Sequence, residues 1–231
     1  VAALHQPPHT EQQEAKQMAP KKRAAQVEVP RIKVETVEMH LVGTSPLVTH
    51  AWSEKAKKQM RDKQTKKAKQ AKEAKVPAQD FIDAAYWLTE KPVLSGDMDE
   101  AETEALEAVQ DASFGFPTVA FKAAAVAGAG FVDGITKVGT RGAFHIRGEL
   151  AEIIGPAPVM REDMVRVGMG TADLRYRPMW EEWETVLTVE INTAAMSVEQ
   201  MVNLFNVGGF ACGIGEYRPE KNGSWGRFTV R

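Results

Sequence analysis

The chain lacks most of the groups that metal and redox chemistry need. One cysteine, Cys212, stands among 231 residues. That excludes a disulfide framework and a thiolate zinc site, and it fits a reducing compartment. The flanks of Cys212 assign it a structural role. Histidine is scarce too, with five in all. His5 and His9 fall in the first ten residues, and His40, His50 and His145 are isolated in sequence, where a packed or surface role is commoner than acid or base work. No paired acidic motif for two-metal phosphoryl transfer, no nucleophile elbow and no Walker loop is present, so neither a metal nor any other cofactor is expected. Long apolar runs are missing as well. No stretch approaches ~18 apolar residues, and residues 1–26 have no apolar middle region of a signal peptide. A soluble, cytoplasmic protein without a membrane partner is the expectation. Charge of one sign is also absent: 29 Lys and Arg face 31 Asp and Glu, a net charge of -2. Global basicity therefore cannot draw the chain to nucleic acid or to a membrane, and any electrostatic partner must meet a local patch.

What is present is 43% hydrophobic residues, enough for the core of one domain. Residues 1–29 hold Gln, Pro, Ala and Lys with few large apolar side chains and read as a flexible tail. The domain spans 30–231, with a charged insertion at 51–112. A β-branched strand runs over 31–42, and the stretch 43–50, with Gly43 and Pro46, reads as an ordered loop. From the N-cap Ser53 to Lys75 the chain is helix-forming, with ten basic residues against three acidic, and Pro77 ends the helix. An acidic segment with one short helix follows at 97–111. An Ala-rich helix is expected over 118–132, then strand over 143–154, 164–168 and 183–191. Ser197 and Gln200 form a capping box for a last helix, which Gly208 and Gly209 stop. A final strand covers 225–230. The pattern is α+β, with helices on one face of an antiparallel sheet, most economically a ferredoxin-like core. Its open sheet face is of the kind on which RNA-recognition modules hold nucleic acid.

Three local patches carry candidate binding residues. Between 137 and 177 lie Lys137, Arg141, Arg147, Arg161, Arg166, Arg175 and Arg177, interrupted by glycines and joined by Tyr176. Arginines on irregular backbone can hold phosphates, and an aromatic ring offers a surface to an unstacked base. The opposing reading pairs them with neighbouring Glu and Asp as surface bridges worth little. In the second patch Lys55 and Lys58 belong to the basic helix, which is a solvated face, a phosphate-tracking arm or a contact for a neighbour's acidic segment. Trp52 beside it is the one tryptophan better placed for stacking than for packing, whereas Trp180, Trp183 and Trp225 read as core or rim anchors. The third patch is the glycine-rich 208–219, where Arg218, with Arg227 downstream, would favour a phosphate; a turn and a hairpin tip at Lys221-Asn222-Gly223 is the structural alternative.

Gly43-Thr44-Ser45-Pro46-Leu47 after a first strand, with Gly-Ile-Gly-Glu-Tyr-Arg-Pro and Gly-Ser-Trp-Gly-Arg-Phe near the other end, resembles the RAMP superfamily. Within it the likeness is to backbone subunits of CRISPR effector complexes. Residues 31–231 also resemble a family of uncharacterised bacteriophage proteins. The resemblance implies a ferredoxin-like core, an inserted thumb or finger, and repeated subunits lined along single-stranded nucleic acid; a phage origin implies a bacterial host cell. The long insertion after His50 departs from the family pattern. The expected function is thus non-catalytic, oligomerising, single-stranded nucleic-acid binding, mainly through the backbone, in a ring or helical filament. The alternatives are a RAMP-type endoribonuclease using His50 or His145, and a viral inhibitor or interaction protein using its acidic segment.

Overall fold

Alternation over the first strand decides which side of the sheet is covered. In β1 (Val34–Gly43) Met39 and Leu41 are buried while Thr36, Glu38 and His40 face outward. The computed structural model describes Val29 and residues 31–66, 75–94, 97–167 and 170–231; the tail over 1–29, Val29 apart, and the 67–74 part of the basic segment lie outside them. Residues 31–231 form one compact unit. The stretch expected to be loop contains a two-residue strand, β2 (Leu47–Val48), fully buried. Ser53 caps α1 (Glu54–Gln64) by accepting from the Ala56 amide, and no residue of α1 is buried, as its sparse small apolar positions require. Pro77 opens a helix rather than closing one. It is the first residue of α2 (Pro77–Asp83), where its missing N–H is lost at no cost. The acidic segment forms α3 (Met98–Ala108) behind an Asp97/Glu100 capping box.

The Ala-rich run folds as expected, into α4 (Thr118–Gly128), preceded by β3 (Phe114–Pro117). The glycine-punctuated stretch that follows is not irregular: Thr136 caps the short helix α5 (Lys137–Ala143). Then come β4 (Phe144–Ile146) and β5 (Leu150–Ile153). A long hairpin of β6 (Val159–Val167) and β7 (Thr171–Trp180) occupies the region where only 164–168 was expected as strand. β8 (Glu184–Asn192), α6 (Val198–Ala211) and β9 (Phe228–Val230) complete the chain order.

The resulting fold is α+β with antiparallel sheets and, among the described residues, six α-helices. The four-stranded sheet has the order β4-β8-β1-β9 and is antiparallel throughout. In chain order this sheet and the helices packed on it read β1, α4, β4, β8, α6, β9. Phe121 of α4 meets Phe228 of β9, and Phe205 of α6 meets Phe144 of β4, with ring centroids 5.8 and 5.6 Å apart. Gly208 and Gly209 do not stop α6, which continues to Ala211. Gly208 lets α6 press on α4, since a Cβ there would stand 2.5 Å from the Ala124 carbonyl. A second sheet has the order β2-β7-β6, and β3 pairs with β5.

The opposite face of the four-stranded sheet is open but is not a stacking platform. Glu38 and His40 of β1 stand opposite Thr188 and Val186 of β8, and His145 of β4 stands opposite Glu190. Among the described residues that face carries no Phe, Tyr or Trp. Arg147 is held there by Glu190 at 2.6 Å and Arg231 by Glu184 at 3.8 Å. Its mixed charge and lack of rings argue against the RNA-recognition type of docking expected from the topology.

Candidate nucleic-acid interface

Three distant segments are tied together by backbone hydrogen bonds. The Thr44 amide donates to the Arg227 carbonyl at 2.8 Å, and the Gly226 amide to that of Pro46 at 2.7 Å. The Arg227 amide donates to Ser45 Oγ at 3.0 Å, and the Glu216 amide to the Val48 carbonyl at 2.9 Å. The Thr49 amide reaches the Pro178 carbonyl on β7 at 3.2 Å. The stretch from Gly43 to His50, the hairpin and the glycine-rich segment therefore share one surface. The glycines of that segment serve the chain itself. Gly213, Gly215 and Gly226 have φ of 63°, 75° and 63°, and a Cβ on Gly215 would stand 2.5 Å from the Val48 carbonyl. This is the structural reading of the segment.

At the junction lies a polar network centred on Arg177, which is 3% exposed. Its Nη1 donates to Asp163 Oδ2 at 3.3 Å and to the Tyr217 hydroxyl at 3.2 Å, and its Nε donates to His50 Nδ1 at 2.9 Å. Asp163, also buried, accepts from Arg161 Nε at 2.7 Å. Arg161 lies over the Trp225 ring at 4.3 Å, and Tyr217 meets Trp225 edge-on at 5.4 Å. Tyr217 reaches this position with φ at 55°, a left-handed conformation unusual for a bulky residue. Burial, then the charges of Arg177 and Arg175, holds the His50 imidazole below its ordinary pKa of 6.5, against a smaller opposing pull from Glu216. An arginine Nε can only donate, so Nδ1 accepts and the ring proton sits on Nε2. Arg175 Nη1 stands 3.5 Å from that Nε2.

Beside the network lies a cavity of about 200 Å³, with His50, Tyr86, Glu216, Arg218 and Glu220 on its polar side and Phe116 and α4 on its apolar side, against the backbone of 213–215. Ala120 and Ala124 are one turn apart on α4, and their small side chains leave the space open. Burial and the nearby Glu216 carboxylate raise the Tyr86 phenol.

The structure gathers part of the sequence-derived site. Arg161, Arg175 and Arg177 project from one face of the hairpin, as the register Arg161 to Arg177 and Asp163 to Arg175 dictates. Arg177 is spent on the buried network, and Arg175 pairs with Asp173 at 3.7 Å. Tyr176 and Arg166 fall on the other face, and Tyr176 donates to Glu162, which together with burial raises its phenol. Arg218 is held by Glu220 at 3.0 Å and by the Gly215 carbonyl at 2.9 Å; Arg227 Nε donates to the Ser224 carbonyl at 3.0 Å. Lys137 and Arg141 sit on α5, outside this surface, and burial, then the charge of Arg141, lowers the nearby Lys122 ammonium. Trp52 is 60% exposed, two residues from His50, and Lys55 and Lys58 follow it on exposed α1. Trp180 and Trp183 are buried, and so is Cys212. Sequence reasoning missed Tyr86, Glu216 and Tyr217, and it offered Asp163 only as a surface-bridge partner of the arginines, whereas Asp163 is buried. For Tyr217 the signal was present, a tyrosine between two glycines and a proline beside Arg218.

No family model matches the chain, and no curated protein matches it. Among solved structures it is weakly similar to the crystal structure of Cmr6 from Pyrococcus furiosus. The identity is 10% and the TM-score 0.36, over 87% of this chain and 100% of that one.

Proposed function

We propose that this protein binds single-stranded nucleic acid, mainly through its backbone and without cleaving it, on the surface where Trp52, His50, the β6–β7 hairpin and the 213–227 segment meet. The observation that carries this reading is the connected set of rings and a guanidinium group running from His50 through Tyr217 to Trp225 and Arg161, which the buried Arg177 holds together from within. The exposed indole of Trp52 lies two residues from His50. Rings that stack bases beside cations that meet phosphates are what sequence-tolerant strand binding requires. A non-catalytic role is supported by the tautomer of His50. With Nδ1 occupied by Arg177, the neutral ring has no free lone pair with which to take a proton from a 2'-hydroxyl. The ferredoxin-like assignment draws support from the strand order β4-β8-β1-β9 with its alternation of strands and helices. Assembly into rings or filaments draws on two exposed helices of opposite charge, α1 and α3.

Fluorescence anisotropy with labelled single strands at several salt concentrations tests the proposal. Trp52→Ala should weaken binding by about 1–3 kcal/mol for the lost stack. Arg175→Ala should weaken it on all sequences alike and flatten the salt slope by roughly 0.7. Wild type that binds no strand would overturn the reading. Cleavage of labelled RNA in chelator, lost in His50→Gln, would replace it with the ribonuclease alternative.

A further inference from the structure

The cavity beside His50 has a chemistry that phosphate binding does not explain, because it presents a carboxylate. Resting on the strand-binding proposal above, we infer that it takes one nucleobase, and that the base it selects is guanine. Three observations lead there.

The first is size. At about 200 Å³ the space falls below the roughly 300 Å³ at which clefts for drug-sized ligands begin. It suits a single ring system rather than a base with its sugar and phosphate. The second is the walls. Phe116, Ala120 and Ala124 give apolar surface for the faces of a planar ring, while the backbone of 213–215 closes the far side. The third is the order of polar groups. Glu216 offers two carboxylate oxygens, whose nearest cation among the described residues is Arg177 Nη2 at 4.0 Å, while Arg218 and Glu220, which also line the cavity, are paired with each other at 3.0 Å. His50 offers Nε2–H, since its Nδ1 accepts from Arg177, and Arg175 Nη1, 3.5 Å from that nitrogen, stands beside it as a further donor. Two acceptors beside these donors complement the Watson–Crick edge of guanine, which presents N1–H, the exocyclic amine and O6. Cytosine, uracil and adenine each lack the paired donors that a carboxylate can accept from together. An unpaired strand leaves that edge accessible, as single-stranded recognition requires. The backbone contacts would then set affinity, and this cavity would set register at one position.

The test compares oligothymidylate with the same strand carrying a single guanine, by anisotropy, for wild type and Glu216→Gln. The guanine should tighten binding by about tenfold in wild type. Inosine, without the exocyclic amine, should lose most of that gain, and 7-deazaguanine should keep it. Glu216→Gln should abolish the preference, with circular dichroism as the folding control. Ala120→Leu, which fills the cavity, should do the same. A second readout is independent of strand binding: guanosine alone should shift the methyl resonances of Ala120 and Ala124. Equal affinity for strands with and without guanine, in a wild type that binds both, overturns the inference and leaves strand binding standing. If no strand binds at all, the strand-binding proposal fails and the guanosine titration decides the cavity by itself. Shifted methyls then support it, and unshifted ones overturn it.

Discussion

Arg177 and Asp163 face each other from adjacent strands at 3% and 6% exposure, so each charge depends on the other for its place in the interior. Removing one partner leaves a buried ion uncompensated, which is far costlier than losing a surface bridge. Arg177→Ala should therefore lower stability by about 3 kcal/mol or more in urea denaturation. Arg175→Ala, from the same strand face but partly solvated, should change it by less than about 1 kcal/mol. His50 adds a pH dependence. Burial first and the two arginines second make the folded imidazole harder to protonate than the unfolded one. The unfolded chain then binds more protons as pH falls. The contribution is fully present above the ordinary value of 6.5 and is lost as pH drops through the lowered folded value. Melting temperatures from about pH 8 to about pH 5 should fall more steeply for wild type than for His50→Asn, whose amide oxygen can still accept from Arg177.

At the scale of elements, what could be read from sequence was what is decided locally. The last helix declares itself through Ser197, Gln200 and an apolar stripe at helical spacing, and its start is where those residues put it. Its end was misread because Gly208 and Gly209 answer to tertiary contacts, with Ala124 and Phe228, that no local pattern records. β7 escaped for a related reason. One of its faces carries Arg175 and Arg177 in a polar network, so the alternation of apolar and polar residues that marks a strand is absent. α5 was hidden by Gly139 and Gly142, which weigh against a helix. The site was half legible on the same grounds. The arginines and the glycine-rich segment could be nominated, but their meeting with His50 depends on strand pairing across the whole domain. A paired substitution separates local from tertiary roles of glycine. Gly208→Ala should destabilise by about 1–3 kcal/mol through the clash with α4. Gly142→Ala, with nothing within 4 Å of the added methyl, should stabilise by about 0.5–1 kcal/mol. Thermal melts of the two variants check both signs.

The molecule as a whole is close to neutral only because strong local charges offset one another, with basic α1 and acidic α3 both turned to solvent. Contact between unlike surfaces on successive copies generates rings or open filaments rather than closed two-fold dimers. Light scattering should thus find larger assemblies at low salt that dissociate as salt rises. Lys58→Glu with Lys63→Glu should stay monomeric, and so should Glu102→Lys with Glu107→Lys. A mixture of the two variants should form dimers and go no further, since the unaltered α1 of one variant then meets the unaltered α3 of the other while the two altered helices carry like charge. A mixture that forms no dimers would show that these helices are not the contact.

The placing of β1 between β8 and β9 also sets an order of events during synthesis. β1 emerges early, yet its long partner begins at Glu184 and its short one at Phe228. At about 5–20 residues per second a ribosome needs on the order of ten seconds to supply β8. For that interval β1 leaves the exit tunnel with both backbone edges unpaired and Met39 and Leu41 uncovered, the state most exposed to capture by other chains. Tyr217 and Trp225 arrive later still. A nascent chain halted before residue 213 could assemble α4 and much of the core around it. It would have neither ring of the aromatic pair, nor the tyrosine hydroxyl that anchors Arg177 behind His50.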